Sequence, residues 1–470
     1  MTRPRVAIAG ADGFIGSALC AALAQDHRVF ALTRSPTWAR MPPDRAGVVR
    51  RVCDLFSLDA VRTGLDGIDY AVYLAHSQAP SSRLTQARPA DMDLVMADNF
   101  AQAAAESGVK QIVFVGGLIP EGFHISPLLW SRREVEMVLA SRGTPVTALR
   151  AGLVVGAGGS AVGFLVDLVR RLPLIPLPGA AQSVTRPIAL ADLIRAIRQC
   201  LGRPEIYRGS FDLGGPDCLS YEQMARETAA ILGLRRVIIR IPFIPLGLAA
   251  WAARLVSGAP ASLIGPVIES LPQDTRMRDN PLQQIVGVAS IPFCQALAAA
   301  LDARRRRLPS PRQPTRRRDR ILLRRASLVR SIQRIILPPG QDAAWVAGNY
   351  FRWLERGGVW PLICSHCDQD GSWTLCLRWP RLRLLTLRHA AAQSSRQRQV
   401  YRVGGGLLCR TDAPGQARFE FQTLLGDRYT MAAIHDYAPA LPWYLYRWTQ
   451  APFHRWVMRR YQRHLARLAR

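Results

Sequence analysis

Gly10, Gly13 and Gly16 follow the apolar run Arg5-Val-Ala-Ile-Ala9 and open an alanine-rich stretch. Their type and spacing suit one chemistry, the holding of a pyrophosphate. The first glycine permits a tight turn, the second lets backbone approach the phosphates, and the third lets helix and strand pack closely. A helix starting here adds amide donors and a partial positive charge. Asp12, Phe14 and Ile15 fill the positions between the glycines. The second apolar run ends in Thr33-Arg34-Ser35, where an NAD-selective site usually carries an acidic residue for the ribose hydroxyl. Arg34 suits a 2′-phosphate instead, so the expected cofactor is NADP(H) in preference to NAD(H). Asp54, followed by Leu55, ends the third run and suits either an adenine amino group or a loop cap. Ala75 and His76 end the fourth run and complete the expected contacts on this side.

Groups that move protons are scarce nearby. Lys110 is the only lysine in the chain. A tyrosine four residues before it would stand at 106, which is Glu106, and no tyrosine lies between Tyr73 and Tyr207. His124, Ser126 and Ser131 lie close together in sequence, and His124 is the one candidate acid or base. Cys364-Ser-His-Cys367 has the spacing of half a zinc knuckle, but Cys376 and Cys409 form no second close pair, so no metal site is expected.

These residues need a frame. Short β-branched runs at Val6–Ala9, Val29–Thr33, Val48–Cys53, Tyr70–Ala75, Gln111–Val115 and Val146–Ala151 alternate with helical patterns at Ile15–Ala24, Leu58–Thr63 and Asp91–Ser107. Such alternation predicts an α/β fold, a Rossmann-type doubly wound parallel sheet. A smaller lobe follows Gly156, with a helix at Val162–Arg171, a helical segment within Pro187–Cys200 and a late strand at Phe211–Gly215. Residues 303–335, with Arg304–Arg307, Arg316–Arg318 and three prolines, read as a linker between a domain at 1–302 and one at 336–470. The last domain alternates at Trp373–Trp379, Leu382–Leu387, Gln399–Leu408, Arg418–Leu425 and Tyr429–His435, an antiparallel sheet. A helix over Pro452–Leu468 closes the chain, with Phe453, Trp456, Val457, Leu465 and Leu468 as its apolar side and Arg455, Arg459, Arg463 and Arg467 on another.

The net charge of +28 is uneven. Residues 1–300 hold 30 basic and 24 acidic residues, net +6, whereas residues 301–470 hold 32 and 10, net +22. An anionic membrane surface is the partner this asymmetry suggests, and no specific nucleic acid is predicted. Nine cysteines without disulfide rhythm, and a first strand already under way at Val6, point to the cytoplasm, with a peripheral place on the inner membrane face as the extension. No run of about 18 apolar residues exists. The nearest approach, Ile241–Ile268, reads as one amphipathic helix with flanking loops; a segment dipping into a membrane surface is the second reading.

Residues 1–300 resemble an atypical short-chain dehydrogenase/reductase, close to the NmrA-like and complex-I-accessory-subunit branches. The resemblance rests on Gly10-Ala-Asp-Gly13-Phe-Ile-Gly16, Asp54-Leu55, Tyr73-Leu-Ala75-His76, Gly108-Val-Lys-Gln-Ile-Val-Phe-Val, Leu149-Arg-Ala-Gly-Leu-Val-Val-Gly156 and Arg186-Pro-Ile-Ala-Leu-Ala-Asp192. It implies a Rossmann sheet with a substrate lobe, a serine or threonine after the fifth strand, and tyrosine and lysine four residues apart on the next helix. This chain departs from that pattern: Gly116-Gly117 end the strand, Leu128 aligns with the tyrosine and Arg132 with the lysine. Arg132 can bind a ribose hydroxyl or a phosphate, but does not titrate near neutrality. Residues 336–470 resemble a START-like, polyketide-cyclase-like domain, on Pro442-Trp-Tyr-Leu-Tyr-Arg-Trp-Thr-Gln-Ala-Pro-Phe-His-Arg-Trp456 and the arginine-rich helix after it. That resemblance implies an α+β helix-grip with an apolar cavity for a hydrophobic small molecule. Two functions are consistent with the whole: an NADP(H)-dependent oxidoreductase acting on an apolar carbonyl, isoprenoid or quinone-like compound without the serine, tyrosine and lysine, and a non-catalytic NADP(H) sensor or membrane-surface scaffold.

Overall fold

The computed structural model describes residues 3–41, 46–77, 84–121, 125–257, 261–278, 282–287, 290–302, 306, 328–359, 362–369, 371–410 and 417–469. The chain divides into two units, the first Met1–Pro80 with Asn99–Thr315, the second Ser81–Asp98 with Arg316–Arg470.

The first unit is built on β1 (Arg5–Ala9), β2 (Arg28–Thr33), β3 (Val48–Val52), β4 (Tyr70–Tyr73), β6 (Gln111–Gly117), β7 (Val146–Ala151) and β12 (Ser210–Leu213), with β5 (Leu84–Gln86) belonging to the second. The seven run parallel in the order β12-β7-β6-β4-β1-β2-β3. The central strands are apolar on both faces because both faces are covered, which explains their unbroken runs of valine, isoleucine and alanine. The order reverses between β1 and β4, so a crevice opens at the carboxyl ends of those two strands.

Helices α1 (Phe14–Leu23), α2 (Pro36–Arg40), α3 (Leu58–Leu65), α4 (Pro89–Glu106), α5 (Pro127–Ala140), α6 (Ser160–Arg171) and α7 (Leu190–Cys200) follow in chain order, α4 being divided between the units after Asp98. Leu19 and Leu23 of α1 share a core with Leu193 and Ile197 of α7 and with Val6 and Ile8 of β1. The lobe contains α8 (Tyr221–Leu232), α9 (Leu246–Ser257), α10 (Ala261–Ser270), α11 (Leu282–Val286) and α12 (Phe293–Ala299). It also holds three strand pairs: β8 (Val154–Val155) with β11 (Ile188–Ala189), β9 (Leu174–Pro178) with β14 (Val237–Ile241), and β10 (Val184–Thr185) with β13 (Leu219–Ser220). A capping box between Ser220 and Gln223 starts α8, and Gly233 in the left-handed region ends it. The single helix expected within 241–268 is instead two, α9 and α10. Pro242 and Pro245 hold the first residues out of the helix.

The second unit is an eight-stranded sheet, β16-β17-β18-β19-β20-β21-β15-β5. Its strands are β15 (Val329–Ile336), β16 (Ile363–Cys367), β17 (Trp373–Leu377), β18 (Arg383–His389), β19 (Arg398–Gly405), β20 (Arg418–Leu424) and β21 (Tyr429–Tyr437). All of these pair antiparallel, and β5 adds itself in parallel to β15. β15 lies inside the stretch expected as linker, a correction. Its Arg330 and Arg334 resemble more of the charge block but are drawn into buried pairs. Helices α13 (Ala343–Glu355) and α15 (Gln450–Leu468) lie on one face, with α14 (Trp443–Trp448) before the latter. The space between them and the sheet is filled by aromatic rings: Tyr350 is buried, 5.0 to 6.2 Å from Phe351, Trp353, Phe419, Phe421 and Tyr461. The buried side of α15 is Val457, Met458, Tyr461 and Leu465, whereas Trp456 and Leu468, expected to be internal, are exposed. Tyr461 fixes this rotation by donating to the Val346 carbonyl at 2.9 Å.

The opposite sheet face buries charge. Alternation that sends Phe419 and Phe421 to the helices sends Arg418, Glu420 and Gln422 the other way. Glu420 accepts from Arg398 at 2.7 Å and from Arg418, which also reaches Asp436 at 3.3 Å. Helix α4 contributes Asp91, 2.7 Å from Arg334, and Asp98, which accepts from Gln422. Desolvated charges persist only when paired in this way. Glu420→Ala is expected to cost about 3–5 kcal/mol by stranding Arg398. Chemical denaturation measures it, and a change below about 1 kcal/mol refutes the buried-pair assignment.

Candidate functional site

The crevice is organised by its glycines. Gly10 has φ +86°, and a Cβ there would stand 3.0 Å from the Leu74 carbonyl carbon and 3.1 Å from the Ala75 nitrogen. The ends of β1 and β4 therefore touch, and Leu74 N–H donates to the Ala9 carbonyl at 2.9 Å. A Cβ on Gly16 would lie 2.2 Å from the Gly10 carbonyl oxygen, so only glycine allows α1 to sit this low on the strand. Gly13 is the N-cap of α1 and supplies no side-chain cap. The first-turn amides of Phe14, Ile15 and Gly16 thus have no acceptor within the helix. This bare, glycine-lined helix start fits a pyrophosphate. Asp12 is half-buried beside it. The Phe14 ring packs where a Cβ on Gly156 or Gly159 would come within 3.3 or 3.2 Å of its Cζ.

Next to it, β2 ends in a hydrogen-bonded turn. Thr33 is buried and its hydroxyl accepts from Ser35 N–H at 3.1 Å, while Ser35 caps α2 by accepting from Trp38 N–H at 3.0 Å. Arg34 between them is exposed. After β3, Asp54 accepts from Phe56 N–H at 3.2 Å, and buried Leu55 has its carbonyl bonded by Asn99 Nδ2 at 2.9 Å. Sequence reasoning missed Asn99, a fully buried amide. Its one signal is a polar side chain beside Phe100 in an alanine-rich helix. Ala75 is half-buried and His76 exposed.

The proton-relay side is apolar. A Cβ on Gly117 would lie 2.8 Å from Leu129 Cδ2, and one on Gly116 would lie 3.1 Å from Phe114 Cε1. Leu129 thus takes the room a serine side chain at 117 would need. Arg132 is half-buried, its guanidinium 5.5 Å from the Phe114 ring centre, and its Nε is buried without a hydrogen-bond partner among the described residues. That orphaned donor fits a cofactor oxygen. His124 lies outside the described residues. Ser126 is spent on capping α5 and on Ser270, 3.0 Å away, and Ser131 is buried. Lys110 stands at the amino end of β6, away from the carboxyl-end crevice, where Asp69 at 3.1 Å raises its pKa. Tyr73 is fully buried with its ring edge-on to Phe100 at 5.0 Å. Burial pushes the thiols of Cys20 and Cys53 up to about 12, so neither is a nucleophile at neutral pH. In the second unit, Cys364 Sγ donates to the Cys376 carbonyl at 3.8 Å and His366 lies 3.2 Å from Asp368.

Comparison with known proteins agrees with this geometry. Residues 10–158 match the protein family described as NAD(P)H-binding. The chain is 30% identical over 146 residues to auxiliary protein GraX of Staphylococcus aureus; the match spans 31% of this chain and 43% of that protein's length. Among solved structures, the Citrobacter sp. triphenylmethane reductase complexed with NADP(H) superposes with a TM-score of 0.50 at 17% identity, covering 63% of this chain and 100% of that one. The NADPH-dependent quinone oxidoreductase of Escherichia coli complexed with NADPH gives 0.50 at 19% identity, covering 62% and 98%. A nucleoside-diphosphate-sugar epimerase of Staphylococcus aureus gives 0.50 at 18%, covering 63% and 99%. The first unit is accordingly an NAD(P)-binding Rossmann-type domain, as its resemblance to atypical short-chain dehydrogenases/reductases implies.

Two substitutions separate cradle from packing. Gly13 has extended backbone, and a Cβ there would meet only the Gly10 carbonyl oxygen at 3.1 Å, so Gly13→Val is expected to keep the fold and weaken dinucleotide binding at least about tenfold. Gly16→Val is expected to unfold the domain instead. Calorimetric titration beside thermal melts reads both, and unchanged binding by Gly13→Val would show that phosphates do not sit there.

Proposed function

We propose that the first unit is an NADP(H)-dependent reductase of an apolar, quinone-like acceptor, with solvent in place of a side chain as the proton source. One observation carries this reading: a glycine-lined dinucleotide cradle adjoins a strand end where Leu129 fills the room that a serine side chain at 117 would need. The first-turn amides of α1 would hold the pyrophosphate, Arg34 a 2′-phosphate, Asp54 the adenine amino group and Arg132 a ribose hydroxyl or phosphate. When bound, the reduced nicotinamide supplies a hydride. Leu128 and Leu129, both partly exposed, would exclude water from the acceptor's ring and offer it apolar contact.

The product's chemistry decides which acceptors such a site can serve. Reduction of an aliphatic carbonyl creates an alkoxide, which needs a positioned acid. Reduction of a quinone by a hydride leaves a phenolate-type oxygen, with a pKa of about 10 like that of tyrosine, and solvent protonates it at neutral pH. The NADPH-dependent quinone oxidoreductase of Escherichia coli, which shares this fold, supports the same reading. For the second unit, the order from β15 of one strand, one helix, six strands, a short helix and a long closing helix supports the START-like reading. A non-catalytic NADP(H) sensor or scaffold is the alternative, favoured by the same loss of acid and base.

NADPH oxidation is expected with quinones and not with aliphatic ketones. Tight NADPH binding without turnover on any acceptor would transfer the assignment to the sensor. Arg34→Glu is expected to weaken NADPH at least about tenfold while leaving NADH within about twofold. Equal weakening of both coenzymes would remove the 2′-phosphate role.

A further inference from the structure

The first unit exposes an unusual run of apolar side chains on β14, the turn after it and α9. Val237, Ile239 and Ile241 alternate along β14 and all are exposed. Phe243, in the following turn, is 91% exposed. Leu248, Trp251 and Leu255 recur at the spacing of one helix face and are 54%, 57% and 66% exposed. The opposite face of α9 is satisfied, because Ala249, Ala250 and Ala253 pack with Ile264 and Ile268 of α10. A helix apolar on both sides, with one side already buried, leaves the other for something apolar.

Charge identifies the occupant. From Val237 to Ile268 the chain contains no aspartate or glutamate, and of its two charged residues Arg240 is paired with Glu222 at 2.5 Å, which leaves Arg254. Arg254 and the neighbouring Arg235 are exposed. In a symmetric pair of chains this face would meet itself, arginine against arginine, with no carboxylate in the run to neutralise them. Lipid phosphates would neutralise them, while the acyl boundary takes up Phe243, Trp251 and Leu255. Tryptophan prefers that boundary. Among the described residues no helix is long and apolar enough to cross a membrane, so such contact is in the plane of the interface.

We propose that β14, the 242–245 turn and α9 form a docking face for an anionic lipid bilayer. The test is flotation of the full chain with vesicles of phosphatidylcholine alone and of phosphatidylcholine with phosphatidylglycerol. The chain is expected to float with the anionic vesicles and much less with the neutral ones. The triple variant Phe243→Ser, Trp251→Ser, Leu255→Ser is expected to lose at least about tenfold in vesicle affinity while its circular dichroism and thermal melt stay unchanged, since these side chains are already in water. The variant Arg235→Glu, Arg254→Glu is expected to lose the preference for anionic vesicles. The proposal fails if the native chain does not float, if the folded triple variant floats as well as the native chain, or if the arginine variant keeps the anionic preference. It also fails if the triple variant only converts a dimer to monomers in sedimentation while vesicle binding persists, which would give the face to a second copy.

Discussion

The contact between Gly16 and the Gly10 carbonyl governs the first unit. Any side chain at 16 would begin 2.2 Å from that oxygen, so helix α1 can lie against the turn only because nothing projects from it. This fixes where the helix starts, directly beyond the end of β1. Gly10 in turn lets Leu74 and Ala75 of the neighbouring strand end come within about 3 Å of where its Cβ would stand, and a side chain there would push them away. The helix amides, the β1 turn and the β4 end therefore converge on one point, at the place where the strand order reverses. Phe14 follows from the same placement, since its ring is brought against Gly156 and Gly159 of the lobe. Fold and cradle are here the same set of short distances.

Among the described residues, the β6 end beside that cradle is lined by glycine and leucine. In a relay of tyrosine and lysine the ammonium lowers the phenol's pKa and the phenol passes a proton. Here the lone lysine is tied to Asp69 at the amino end of the sheet, the nearest tyrosine is in the core, and leucine fills the strand end. The reductase proposed above needs no positioned acid, because the acceptor's reduced form would carry its own charge in water. The buried Nε of Arg132 keeps a fixed positive group on this side, and a guanidinium orients oxygens without exchanging protons.

Much of the first unit was legible in the sequence because parallel strands buried on both faces leave contiguous apolar runs, and glycine spacing encodes close approach. The strands at Val6, Val29, Tyr70, Gln111 and Val146 all form near their expected bounds. What the sequence concealed depends on distant partners. Residues 81–98 read as part of the first domain, yet β5 pairs with β15, and Asp91 finds Arg334 across 243 positions of chain. β15 was hidden because an arginine looks the same in a solvated block as in a buried pair. Asn99 was hidden because its role, holding the loop at Leu55, is defined only by the loop's approach. On α15 the apolar side was misjudged by one position: Met458 and Tyr461 turn inward, and Trp456 lies outside against Arg460, its ring centre 5.5 Å from the guanidinium.

These buried pairs also change how net charge is weighed. Residues 301–470 sum to +22, which taken alone makes that half the one to meet an anionic surface. Yet Arg330 and Arg398 are buried, and Arg334, Arg398 and Arg418 face Asp91, Glu420 and Asp436 at hydrogen-bonding distances. A guanidinium closed against a carboxylate is a dipole, and its field fades well within a screening length of about 8 Å. A sum over 170 residues counts such arginines, although no partner can reach them. The first unit shows the converse. Its total is nearly neutral, but its acids are absent from the whole of 237–268, where apolar side chains stand in water. A planar partner senses the sign and polarity of the face it touches, so the nearly neutral half can carry the lipid-facing surface while the strongly basic half spends part of its charge on its own sheet.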